Sequence, residues 1–156
     1  MKEQNDLKQE INNIIKKYKF PSFKDLDSEF DISSIEHDGF ILRAMRRKMV
    51  EKLELFCKII ESLMLPDASS LASIQESKAI DEDQRISLHN LYKRLMIFDR
   101  ISLSLEIEND DKKNVEFIQD LLSEWKNIKP QLMNLVKTMT DSWTKDDESI
   151  EERYFG

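Results

Sequence analysis

Arg43, Arg46, Arg47, Lys48 and Lys52 place five cations within ten residues. Guanidinium groups are planar forks that match phosphate and carboxylate geometry, so such a cluster implies one of two chemistries. It either contacts a phosphate-bearing ligand or nucleic acid, or it forms one side of an internal ion-pair network. Under the first reading Arg43, Arg46, Arg47 and Lys48 are the anion-binding residues. Under the second, the acids Asp99, Glu106, Glu108, Asp110, Asp111 and Asp120 supply the counter-charge. The net charge of −7 gives no bulk attraction to nucleic acid or anionic lipid, and the internal network ranks first.

The remaining chemistry-bearing residues are sparse. Glu51-x-x-Glu54 resembles the first metal-binding motif of the all-α nucleotide pyrophosphohydrolases. That resemblance implies a carboxylate-metal enzyme, whose second carboxylate pair would fall to Glu108-x-x-Asp111 in a predicted break. Glu51 also lies opposite the apolar stripe of its helix, away from any central site. The Glu-x-x-His pairs of a di-iron bundle are absent, because His37 and His89 follow Ser34 and Ile86 by three residues. Two histidines and one cysteine make a poor zinc set. Both histidines are expected on helix surfaces. Cys57, beside Phe56, reads as a small buried hydrophobe rather than a reactive thiol. No catalytic residue, cofactor or metal is expected, and an enzyme ranks third among the functional readings.

Helices must position these groups. Two glycines and three prolines count against an all-β fold. Leu42, Met45, Met49, Leu53, Phe56, Ile60 and Leu63 recur at intervals of three and four, which predicts a long helix over 33–65. Ser33 and Glu36 would form its capping box and Pro66 its end, giving a rod of roughly 48 Å. Leu7, Ile11, Ile14, Ile15 and Tyr18 predict a helix over 5–19 capped at Asp6-x-x-Gln9. Pro21 ends that helix, and the connector from Phe20 to Ile32 carries Phe20, Phe23, Leu26, Phe30 and Ile32, so it should pack on the bundle with a helical turn near Phe23 to Phe30.

A short helix over 69–78 follows. Asp81, Glu82 and Asp83 should open a helix over 81–107 with Leu88, Leu91, Leu95, Phe98, Ile101 and Leu105 inward. Residues 101–107 also alternate like a strand, and helix is preferred because a lone strand would lack a partner. Val115, Ile118, Leu122, Trp125, Leu132, Val136, Met139 and Trp143 predict a last helix over 111–143, kinked near Pro130.

The expected architecture is all-α: an up-down antiparallel bundle of four main helices plus one short helix, as one domain over 1–143. An acidic tail over 144–156, ending in Tyr154 and Phe155, should fray. The expected function is non-catalytic and works through protein contacts, with a homodimer as the form. Leu55, Ile59, Leu103 and Ile107 are the expected interface, since they point away from the main stripes. No run is long enough to span a bilayer, no signal-peptide core is seen, and a cytoplasmic location is expected.

Overall fold

A computed structural model describes residues 1–36, 39–108 and 110–145. Within them the chain forms six α-helices and one 3-10 turn, with no strand. The tail beyond Lys145, His37 and Asn109 lie outside the described residues, and with them the expectations for fraying, for Tyr154 and Phe155 and for a surface His37.

The first helix, α1 (Lys2–Tyr18), buries Leu7, Ile11 and Ile15 along one edge. It already runs through Asp6, so the expected cap at Asp6 and Gln9 is not used. It exits through Lys19 in the left-handed region (φ 56°), and the Phe20 N–H reaches back 3.0 Å to the Ile15 carbonyl. That turn satisfies a carbonyl the helix would otherwise leave bare.

The connector is indeed helical. Ser22 caps α2 (Phe23–Phe30) by accepting the Asp25 N–H at 3.2 Å, and Leu26 and Phe30 are buried. The chain then turns at Asp31 (φ 54°) into the 3-10 turn Ile32–Ser34. Here the structure corrects the expected capping box. The Ser33 N–H donates to Asp27 Oδ1 at 2.7 Å, so that amide is not free for Glu36. The long helix, α3 (Ile41–Met64), starts instead behind Phe40, with Gly39 (φ 78°) making the turn into it. Its 24 residues span about 36 Å, a quarter shorter than expected.

Helix α3 is the central rod, in contact with each of the other five helices. Met45, Met49, Leu53, Ile60 and Leu63 are fully buried along it. Its end is closed by hydroxyls from α4 (Leu71–Lys78). Ser73 and Ser77 donate to the Ser62 and Leu63 carbonyls, each at 2.8 Å, and Arg85 Nη2 ties down the Ser77 carbonyl at 2.9 Å. The Ser62 and Leu63 carbonyls belong to the last turn of α3 and have no partner within that helix.

Asp81 and Gln84 form a reciprocal capping box at the start of α5 (Glu82–Ile107). Helix prevails over strand at 101–107. The buried positions there are Ser102 and Leu105, whereas Ile101, Leu103 and Ile107 are exposed. The core stripe therefore passes through Ser102 and not Ile101, because Ser102 supplies polar groups to a buried side chain of α3.

Asp110 caps α6 (Asp111–Thr144) by accepting the Lys112 and Lys113 N–H groups. Pro130 lies inside this helix. Its core phase also differs from expectation. Leu121, Ile128 and Leu135 are buried, while Val136 and Trp143 are exposed. Trp143 Nε1 donates to Glu76 of α4 at 2.8 Å, a contact that suits a ring at the rim.

Candidate functional site

The basic stretch of α3 was expected to pair with acids of the neighbouring helices first and to bind an anionic ligand second, with its cations at least partly exposed in either case. Arg46 departs from this. It is fully buried, among the largest buried side chains of the protein. An unpaired buried guanidinium would be very unfavourable, so its donors must be met. Nε donates to Asn114 Oδ1 at 2.7 Å, Nη1 to the Ser102 carbonyl at 3.0 Å and to its hydroxyl, and Nη2 to Glu106 Oε1 at 2.8 Å. Asn114 is itself fixed, since its Nδ2 donates to the Asp110 carbonyl at 2.8 Å. One side chain thus joins α3, α5 and the first turn of α6.

Arg47 adds a fork to the same carboxylate. Its Nε and Nη2 meet Glu106 Oε1 and Oε2 at 2.8 and 2.7 Å, the bidentate geometry that gives the strongest charged hydrogen bonds. The Arg47 hydrogen bond is the main cause that pulls the Glu106 carboxyl down from its ordinary 4.5 to about 2. Partial burial opposes it, and the Arg46 hydrogen bond and both positive charges add to it.

A carboxylate with a depressed folded pKa contributes stability that is fully present above its unfolded value and lost as pH falls through the folded one. The wild-type urea midpoint should therefore decline between pH 4.5 and about 2, and Glu106→Gln should flatten that decline. An unchanged acid profile in the variant would show that Glu106 carries no such linkage.

The other cations of the cluster are spread rather than gathered. Lys48 turns to Glu51 at 3.0 Å and Asp31 at 3.9 Å. Arg43 stacks over the Phe40 ring at 4.6 Å, and its Nε is buried without a hydrogen-bond partner among the described residues. Lys52 donates to the Glu29 carbonyl and lies near the Phe30 and Trp125 rings, 5.5 and 5.3 Å from their centroids. Of the four candidate anion-binding residues, only Arg46 and Arg47 converge, and they converge on Glu106.

A second cluster was not foreseen. Glu29 of α2 accepts the Trp125 Nε1–H at 2.8 Å and pairs with Lys129 at 2.5 Å, both on α6. Burial works to raise the Glu29 carboxyl. The hydrogen bonds from Lys129 and Trp125, with the charges of Lys129 and Lys52, outweigh it and hold the group below its usual range. Lys52 is lowered, by burial first and by Lys129, against the pull of Glu29. Trp125 is buried, 5.0 Å from Phe30. The recognisable signal in the chain was the aromatic content of the connector; its acid was not weighed.

The remaining candidates take plain positions. Glu51 and Glu54 are exposed, with Glu51 on Lys48, so that pair faces solvent. Among the described residues no group of three His, Cys, Asp or Glu side chains could hold a metal ion. His89 is exposed at a cleft of about 650 Å³ that Lys58, Met64 and Leu65 also line, where the Tyr92 hydroxyl donates to Glu61. Cys57 is buried, and burial, followed by the charges of Asp99, Glu61 and Glu54, pushes its thiol up to about 11. A disulfide reagent at pH 8 should react with Cys57 far more slowly in the native protein than in urea. Equal rates would show that the thiol is accessible in the folded state.

Of the four expected interface residues, Leu55, Leu103 and Ile107 are exposed, while Ile59 is partly covered against the core. Helix α5 also exposes Ile86, Ile97 and Ile101. Sequence reasoning placed Ile101 in the core and passed over the other two, although the four-residue step from Ile97 to Ile101 marks one face of a helix.

No family model, curated protein or solved structure matches the chain. Among the described residues no helix is long and apolar enough to cross a membrane.

Proposed function

We propose that this protein is a non-catalytic helical module that acts through protein contacts and associates with itself. The observation that carries this reading is the outer side of α5, where five large apolar side chains, Ile86, Ile97, Ile101, Leu103 and Ile107, are 44–88% exposed. A helix of a monomer that packs one face inward normally turns polar residues outward. An apolar patch beyond a few hundred Å² marks an interaction surface, and a two-fold contact lets one patch serve both copies.

The anion-binding reading ranks below it, because Glu106, Asp31 and Glu51 already meet Arg46, Arg47 and Lys48. The same proposal takes the four main helices as an up-down antiparallel bundle. Its support is that Arg47 meets Glu106 at one end of α3 and Glu61 meets Tyr92 at the other. It places a bend near Pro130, which has no N–H to offer the Lys126 carbonyl. A cytoplasmic location belongs to the reading as well.

Sedimentation equilibrium across the micromolar range tests the functional part. A mass that rises with concentration toward twice the chain mass is expected. A constant monomer mass would overturn self-association.

A further inference from the structure

The outer face of α5 has an order beyond its apolar content. Lys93, Ile97, Ile101, Ser104 and Glu108 follow one another at steps of three and four and are all exposed. They form a single row with a cation at one end, an anion at the other, and two isoleucines and a small residue between them. Read from either end, the row presents the opposite charge to its own copy.

We propose that the occupant of this face is a second copy of this chain, with the two α5 helices antiparallel and the two-fold axis passing midway between Arg100 and Ile101. This rests on the self-association reading and specifies its geometry. In this register Lys93 of each copy meets Glu108 of the partner subunit. Ile97 packs over the partner's Ser104, and Ile101 meets the partner's Ile101 beside the axis. A parallel pair would set lysine beside lysine and glutamate beside glutamate, an arrangement that opposes association.

Self-complementarity of this kind favours a copy over an unrelated protein, because an isologous contact requires the patch to match itself. The overlapping row runs about 22 Å along the helix, some four turns. The small side chain of Ser104 lets the opposing isoleucine approach closely. Two neighbours hold the charges near the row in place. Asp99 pairs with Arg100 at 2.5 Å, which offsets the one cation next to the axis, and Lys113 holds Glu108 Oε2 at 2.5 Å at the edge.

Two measurements on the full chain test this, with circular dichroism confirming that each variant folds. Ile101→Cys, oxidised at concentrations where the protein associates, should give a covalent dimer, since the paired backbones lie within disulfide reach. Met133→Cys, exposed on α6, should not. Cys57 is buried and does not compete.

Lys93→Glu or Glu108→Lys alone should weaken the dimer roughly tenfold, because each change turns two attractive contacts into repulsive ones, and the double variant should recover to within about twofold. If dimers form but cross-link through Met133→Cys and not Ile101→Cys, or if the double variant stays as weak as either single one, the α5 pairing is wrong while self-association stands. A monomer at every concentration overturns both.

Discussion

Arg46→Ala should lower folding stability by about 3–5 kcal/mol, the scale seen when one partner of a buried charge network is removed. That is a large part of the roughly 5–15 kcal/mol by which a domain is stable at all. The cost has two sources. Truncation strips Asn114 Oδ1 of its donor, removes the guanidinium from the Ser102 carbonyl and hydroxyl where water does not readily replace it, and opens a void at a fully buried position. It also leaves Glu106 with Arg47 alone. Arg46→Lys should recover only part of the loss, because a single ammonium cannot reach Asn114, Ser102 and Glu106 together in the geometry of a guanidinium fork. Urea unfolding followed by circular dichroism measures both. A cost for Arg46→Ala below about 1 kcal/mol would mean that the pocket rehydrates and the network holds nothing.

Trp125→Ala should cost a similar amount, about 3–5 kcal/mol, as expected for deleting a large buried ring. The indole packs against Phe30, lies 5.3 Å from the Lys52 ammonium and donates to Glu29, so its loss loosens α2 from both α3 and α6. Trp125→Phe separates the parts. It keeps most of the ring and removes the N–H, leaving the Glu29 carboxylate on Lys129 alone, for an expected loss of about 1–2 kcal/mol. If the phenylalanine variant unfolds as readily as the alanine one, the hydrogen bond rather than the packing fastens α2. If neither variant differs from wild type, α2 is not held through this ring.

Much of the fold was readable before the structure, and the misses share a cause. Pro66 and Asp81 marked helix boundaries through backbone chemistry that acts locally, and those boundaries agree with the structure to within a residue or two. Ser33 failed as a cap because Asp27 is six residues away and competes for the same amide, a contact outside the capping pattern. Periodicity also missed which residues share the core. It ranked Ile101 above Ser102 on hydropathy, whereas the buried Arg46 needs the serine's carbonyl and hydroxyl.

The basic cluster was legible as a set of charges with acids within reach, and Glu106 was among the acids named. That one arginine of the set would be fully buried, and that Asn114 would orient it from α6, depends on side chains 56–68 positions apart meeting in space. No window along the chain contains that information. The outer row of α5 is a different kind of miss. Its spacing was present in the sequence, but Ile101 fits a core stripe until the helix's buried side is known, and Ile97 was passed over.

Central to this account is that Arg46 and Arg47 of α3 are consumed within the fold by Glu106, which leaves outward recognition to α5. A double-mutant cycle on Arg46→Met and Glu106→Gln, read by urea unfolding, tests that most directly. Groups that share a part-buried charged hydrogen bond should couple by about 1.5–3 kcal/mol. A coupling below roughly 0.5 kcal/mol, the level of independent sites, would contradict the internal network and return the arginines to the surface chemistry of a ligand.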